Sequence, residues 1–462
     1  HRFMSPQWLT VRDYATHLEQ LKKHFVYADT AERKELVRRG IEAAAQRVGG
    51  RILEDEELLD EVTQLVEYPH PIVGEFETKY LDLPPELLIT VIKKHQRYFA
   101  VTDHDGRLMQ YFVTVANTVP KDDAMVAAGN ARVVRARLED ARFYYVEDQK
   151  VRLEDRAEQL KGVVFHSKMG TSWEKMERFS ALARWIGQKL APETLPIISR
   201  AALLCKADLL SGVVGEFPEL QGVMGRAYAR LQGEPEEVAR AIFEHYLPVR
   251  ASGPIPETTA GAVLSIADKM DTIVGCFGVG LIPTGTADPF ALRRQTLGII
   301  RIILEKPYRL SLTQLINEAV PPLESKMTEP QETVKEGVVE FFRGRLHHFL
   351  VSQEGFSPDV VEASLAAGIE DLVDAVRRTR ALAVFKARPD FESLATAFKR
   401  VVNIIKEPET TPVQPELLQN AAEQALFAAF KDAEGVVEGC LAQSDYSAAL
   451  EAMARLKEFI DG

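Results

Sequence analysis

Cysteine is scarce in this chain: Cys205, Cys276 and Cys440 are the only three in 462 residues, each in an apolar context. Three scattered thiols exclude a disulfide framework and suggest reduced side chains in a cytoplasm. Long apolar runs are also missing. No stretch approaches 18 uncharged apolar residues, which excludes a helical membrane span, and no signal peptide is visible. Basic residues do not predominate: 56 lysines and arginines face 68 acidic residues, for a net charge of −12. That balance argues against indiscriminate nucleic-acid binding, yet it leaves room for a local basic track on an acidic body. The GxxxxGK[ST] string is absent, so no nucleotide phosphate loop, and no ATP site, is expected.

What is present is the composition of a soluble globular protein, 46% hydrophobic and 27% charged. The length calls for about two to four domains. The expected fold class is mainly α and multidomain, with one small mixed α/β module. His1–Thr10 reads as the tail of a domain that begins earlier. Asp13–Gly49 reads as one helix closed by Gly49 and Gly50, and Glu56–Glu67 as another. From Tyr68 the period shortens. PIVGEF, RYFAVTD and YFVTVAN are β-rich runs, HDGR (His104–Arg107) is a hairpin turn, and Pro84-Pro85 opens the helix between strands. Helices are expected over Asn130–Tyr145, Trp173–Leu190, Ser199–Gly215 and Asp288–Glu305, the last capped by Asp288. After Pro307 only amphipathic helices follow: Gly337–Val351, Asp371–Lys386, Phe391–Lys406, Glu416–Asp432 and Tyr446–Ile460.

Several acids stand in apolar surroundings. Ala201–Val214 is apolar almost all round a helical projection, as a buried helix would be, and Asp208 inside it needs a partner. Asp268 and Asp271, three apart, share one face of a second apolar helix. The order His166, Asp208, Asp268, each expected on a helical segment, resembles the metal scaffold of HD-type phosphohydrolase domains, with His245 as a substitute ligand from the next helix. The paired ligands of that signature read Ala207-Asp208 here, behind Lys206; alanine cannot ligate and lysine repels a cation. The expectation is a metal-free HD-like fold in which His166, Asp208, His245, Asp268 and Asp271 are structural positions. Arg294 and Arg301, seven apart, are expected to pair with Asp268 or Asp271. Gly222 and Gly225, beside Arg226, could turn backbone N–H groups toward a phosphate.

Four longer phrases, KKHQRYFAV, ARVVRARLEDARFYY, GEFPELQGVMGRAYA and IADKMDTIVGCFGVGLIPTGTADPFALRR, resemble the β subunit of bacterial tetrameric glycyl-tRNA synthetase. The resemblance runs from His1 almost to the C-terminus, strongest over Tyr68–Ile303 and loose after Glu324. It implies sequence missing at both ends. It also implies four regions: residues 1–67, a domain remnant with a helical segment; 68–155, a B3/4-like α/β module; 156–306, an HD-like helical domain; and 307–462, an incomplete helical domain of the anticodon-binding type. The implied partners are an α subunit, carrying the class II site with its ATP and Mg, and tRNA(Gly), gripped by this chain. No catalytic residue, cofactor, metal, membrane or DNA is expected for the chain itself. The class I strings HIGH and KMSKS are absent, and class II motifs are not evident. The alternatives are an HD-type metal-dependent phosphohydrolase and a non-catalytic helical scaffold.

Candidate tRNA contacts are the basic clusters. Lys93, Lys94 and Arg97 open the strand RYFAV. Arg132, Arg135 and Arg142 share a helix face and are followed by Phe143, Tyr144 and Tyr145. Arg343 and Arg345, then Arg377, Arg378 and Arg380, then Lys399 and Arg400 lie on successive C-terminal helices. Each cluster alone also fits a solvated face. Basic side chains on successive helices suit backbone tracking of RNA, and arginines beside aromatics can hold phosphates and stack bases.

Overall fold

Apolar residues at helical spacing dominate the computed structural model, which describes residues 4–5, 10, 13–404 and 413–460. The expected domain tail His1–Thr10 lies almost wholly outside the described residues. In chain order the first elements are α1 (Tyr14–Lys23), α2 (Thr30–Gln46), β1 (Arg51–Ile52), α3 (Glu56–Leu65), β2 (His70–Glu75), α4 (Pro85–Lys94), β3 (Phe99–Thr102), β4 (Leu108–Ala116) and α5 (Asp123–Asp148). There follow α6 (Leu153–Gln159), β5 (Val164–His166), β6 (Gly170–Thr171), α7 (Ser172–Leu190), α8 (Leu195–Leu204), α9 (Gly212–Glu216), α10 (Val223–Leu231) and α11 (Glu236–Glu244). The remainder is helical: α12 (Thr259–Gly278), α13 (Leu292–Glu305), α14 (Leu312–Ala319), α15 (Gln331–Ser352), α16 (Pro358–Ala366) and α17 (Leu372–Lys386). Last come α18 (Phe391–Ile404), α19 (Ala421–Ala442), α20 (Tyr446–Ala454) and α21 (Lys457–Ile460). These elements gather into two compact units, one of residues 1–159 with 204–239, the other of 160–203 with 240–462. Residues 156–306 thus contribute to both.

The first unit is built on an antiparallel sheet in the order β1-β3-β4-β2. The inner strand β3 is buried along its whole length, which fits its apolar run Phe99-Ala100-Val101. On one face Val37, Ile41, Leu58, Leu59 and Val62 of α2 and α3 pack against Phe99, Val101 and Val113. On β4 the adjacent Phe112 points the other way and stacks on Tyr98, ring centroids 4.9 Å apart. Gly74 is required opposite it, since a Cβ there would lie 2.1 Å from the Phe112 ring. The HDGR turn forms as expected: Asp103 N–H donates to Arg107 O at 2.8 Å, and Gly106 adopts φ 82°. The single helix expected over Asp13–Gly49 is two. Phe25 takes a left-handed φ of 65°, which a helix interior cannot hold, and Asp29 caps α2 by accepting from Glu32 N–H at 2.9 Å.

The second unit is organised around α12, buried at every residue from Ala260 to Gly278. A helix apolar all round must be surrounded, and α7, α13 and α15 pack against it. On α15 the buried residues Val334, Val338, Phe342, Leu346 and Leu350 recur at four-residue intervals. Asp371 caps α17, accepting from Asp374 N–H at 2.9 Å. The helix expected to begin at Asp288 begins at Leu292. Asp288 still accepts its first N–H groups, from Leu292 (2.8 Å) and Arg293 (3.0 Å), across an intervening turn.

Candidate nucleic-acid interface

In the first unit, Asp208 is not on the continuous helix expected over Ser199–Gly215. Ser211 Oγ accepts from Val214 N–H at 3.2 Å and starts a new helix, α9, so the chain bends through a 3-10 turn at Ala207–Leu210. That bend carries the fully buried Asp208 carboxylate onto the backbone of the next segment. Its Oδ2 accepts from Gly222 N–H at 2.5 Å and Gly225 N–H at 2.9 Å. Burial pushes this carboxyl up to about 6, although both hydrogen bonds and Lys206 pull it down. The two glycine N–H groups proposed for a phosphate are therefore occupied from within. Gly222 reaches this arrangement at φ 80°, a conformation that favours glycine.

A second buried acid, Asp148, went unnoticed in the sequence because it ends a long polar helix. It accepts from Gly212 N–H (2.7 Å), Val213 N–H (3.0 Å), Tyr228 Oη (2.8 Å) and Arg156 (2.9 Å). Arg156 also donates to Leu210 O at 2.6 Å. A negative charge at the N-terminus of α9 satisfies otherwise orphaned N–H groups.

In the second unit, Asp268 and Asp271 of α12 meet two cations of α7. Lys175 Nζ lies 2.8 Å from Asp268 Oδ1 and 3.2 Å from Asp271 Oδ2, and it donates to Thr272 Oγ1 at 2.7 Å. Arg178 grips Asp271 through Nε (2.6 Å) and a terminal nitrogen (3.2 Å). Burial pushes the Lys175 ammonium down, but the two carboxylates outweigh it and its proton is held more tightly than usual. The pairing expected from Arg294 and Arg301 is corrected. Arg294 is exposed, and Arg301 donates to Glu305 (2.9 Å), Ala251 O (2.8 Å) and Gly253 O (2.7 Å). The signal was available, since cations three apart on α7 mirror acids three apart on α12.

His166 lies on β5 rather than a helix, where its Nδ1 accepts from Lys168 N–H at 3.2 Å and its ring meets Phe290 edge-on. His245 is buried and donates Nδ1–H to Ile242 O at 2.6 Å. Asp208 belongs to the first unit; His166, His245, Asp268 and Asp271 belong to the second. Among the described residues no three His, Cys, Asp or Glu side chains group so as to hold a metal ion. His166, Asp208, His245, Asp268 and Asp271 each meet a partner within the fold. Burial pushes the Cys276 thiol up to about 12, which keeps it from acting as a nucleophile.

The basic candidates sort by what they touch. Lys93 pairs with Asp55 (2.5 Å), Lys94 with Glu219 (3.0 Å) and Arg97 with Glu61 (2.8 Å). Arg343 donates to Leu365 O and pairs with Glu340, closing the end of α16. Arg378 donates to Gly368 O and pairs with Asp374 at 2.5 Å. Arg345 is half-buried over Phe341. Exposed to solvent are Arg132, Arg135 and Arg142 on α5, Arg377 and Arg380 on α17, and Lys399 and Arg400 on α18. Arg135 lies 3.4 Å from Glu77, and Arg380 lies 3.6 Å from Glu354. Arg377 and Arg380 also line a cleft of 620 Å³ with Phe349, Val373 and Val376.

The described residues form a mainly helical, multidomain protein whose buried charges are paired within the fold. Comparison with known proteins makes the class specific. The family model for the glycyl-tRNA synthetase beta subunit matches residues 1–366. Proteins named glycine–tRNA ligase beta subunit match the entire chain: 54% identity in Geobacter sulfurreducens, and 50% in both Trichlorobacter lovleyi and Syntrophus aciditrophicus. The chain spans 67% of the length of each of these relatives. It belongs to the glycyl-tRNA synthetase β-subunit family, and so to the aminoacyl-tRNA synthetases as a ligase subunit. No helix among the described residues is long and apolar enough to cross a membrane.

Proposed function

We propose that this chain holds tRNA(Gly) for an α subunit that attaches glycine to it, with ATP and Mg bound by that α subunit in the cytoplasm. The observation that carries the RNA-binding part is the pair Arg377 and Arg380. Both are exposed, and among the described residues Arg377 has no ion pair while Arg380 has only the loose one to Glu354. Exposed arginines at the mouth of a mixed cleft, where Phe349, Val373 and Val376 stand beside Arg301, Glu305 and Glu354, suit a phosphate at the cleft's outer edge, and Lys399 and Arg400 extend the basic character onto the next helix. On this reading residues 68–155 form a B3/4-like module, 156–306 an HD-like core without metal, and 307–462 a helical domain of the anticodon-binding type. The chain contributes binding free energy and position, the terms that align two reactants, and makes no bond itself.

The test compares tRNA(Gly) binding by the wild type, by Arg377→Gln/Arg380→Gln and by Arg378→Gln. The double variant is expected to bind about 10-fold or more weakly at moderate salt, and to flatten the log–log salt slope by about one per lost phosphate contact. Arg378→Gln, which alters an internal bond, is expected to leave that slope unchanged. Equal binding by the wild type and the double variant would sink the assignment.

A further inference from the structure

Helix α19 runs for 22 residues, about 33 Å, and buries none of them. α18 buries only Leu394 and Ala397, α20 only Ala449 and Ala452, and α21 none. An amphipathic helix is held in water by packing its apolar face, and this array leaves those faces open. On α19 Leu426, Phe427, Phe430 and Val437 stand at helical spacing along one stripe. Phe398 and Val401 of α18 line the same groove, with Met453, Leu456 and Ile460 from α20 through α21. The groove encloses about 900 Å³, and Phe430 is 46% exposed in it and Met453 39%.

Three apolar stripes converging on one groove have the shape that seats a helix, whose apolar residues at i, i+3, i+4 and i+7 enter between them. Along α19 the lining runs from Glu423 to Glu438, about 22 Å or four turns of a helix. Charge narrows the occupant. The charged residues lining the groove are Glu423, Glu434, Glu438 and Lys431. Lys431 pairs with Glu434 at 2.7 Å, and Glu438 has no ion pair among the described residues. This acidic rim repels an RNA backbone. It equally opposes a second copy of itself across a two-fold interface, where the same patch meets itself. An apolar helix flanked by lysines or arginines complements it.

We infer that this groove seats an amphipathic helix of the same polypeptide, apolar on the side that enters and basic along its flanks. The relatives that match this entire chain are covered over 67% of their length, which leaves about a third of each outside the match. The helix is assigned to that additional sequence. Carried on the same chain, it meets the groove at high effective concentration and needs no separate partner. The inference is independent of the tRNA reading, since it gives this face to the fold rather than to RNA.

The experiment uses the 462-residue chain and overlapping peptides of about 20 residues, about 30 Å as helices, that cover the part of the Geobacter sulfurreducens relative outside the match. Binding is read by fluorescence anisotropy. A basic amphipathic peptide among them is expected to bind, and a benzophenone amino acid in place of Phe430 should cross-link to it. Phe430→Asp should weaken that binding about 10-fold or more. Glu438→Lys, at an exposed residue, should weaken it about 3-fold or more. Val402→Asp, at a 70% exposed residue of α18 that does not line the groove, is the control and should bind as the wild type does. Both groove variants are expected to melt with the wild type; should Phe430→Asp unfold the array, Glu438→Lys decides. The absence of any binding peptide contradicts the inference, as does a peptide bound equally well by the wild type and the groove variants. Cross-links only between two copies of this chain would assign the groove to self-association and overturn it. Loss of tRNA(Gly) affinity in Phe430→Asp, with no peptide bound, would assign it to RNA and overturn it as well.

Discussion

Asp208 shows how a neighbourhood sets the proton on a carboxylate. It is shut away from water, and the N–H groups of Gly222 and Gly225 meet only one of its oxygens; Oδ1 has no hydrogen-bond partner among the described residues. Its folded value of about 6 lies above the 3.8 of a free aspartate, so between the two the native state holds a proton that the unfolded state has released. The protonated form's contribution to stability is full below about pH 3.8 and is lost as pH rises through about 6. Asp208→Asn removes this dependence. Wild type should therefore lose about 2–3 kcal/mol relative to the variant between pH 4 and pH 7, read from urea midpoints. Parallel curves would contradict the assigned burial. Asp271 is a carboxylate gripped by two cations, Lys175 and Arg178. Asp271→Ala leaves Arg178 and Lys175 with less negative charge in a buried place and should cost about 3–5 kcal/mol. Asp271→Asn, which keeps an acceptor for Arg178, should cost less in the same melting experiment.

Elements were legible where local chemistry alone decides them. The HDGR hairpin and the Pro-initiated α4 could be read from turn residues, and the helix from Asp371 and the apolar helix holding Asp268 and Asp271 from spacing. Failures came where one residue overrode a good helical pattern. Phe25, in a left-handed turn, splits the first helix, and Ser211 splits the segment holding Asp208. Both breaks are followed by a local cap, Asp29 on α2 and Ser211 on α9, that the apolar periodicity masked. The buried acids were correctly singled out as needing partners, but the partners were misplaced. α7 rather than α13 faces Asp271, and the matching spacing of Lys175 and Arg178 on α7 was a signal left unused. Among the basic residues, sequence could not separate Arg378 from its neighbours. One helical step turns it inward to Asp374 and Gly368 O while Arg377 and Arg380 face out. Arg378→Ala should accordingly destabilise the second unit by about 1–3 kcal/mol, measured by thermal unfolding.

At the scale of the whole molecule, an acidic chain of net charge −12 is read as an RNA-holding subunit. The reconciliation is local. Buried acids are matched within the fold, Asp148 by Arg156 and Asp268 with Asp271 by Lys175 and Arg178, and several surface acids neutralise Lys93, Lys94 and Arg97. Exposed basic side chains stand on α17 and α18, Arg377 without an ion pair among the described residues. The resemblance read from four phrases identified the family that the comparisons show, because long ordered phrases carry more information than any short motif. The most direct measurement is equilibrium binding of labelled tRNA(Gly) to the α–β assembly across a salt series. The account predicts tight binding at low salt, with log K falling linearly against log salt at a slope set by several phosphate contacts. Binding that is absent, or that ignores salt, would contradict it.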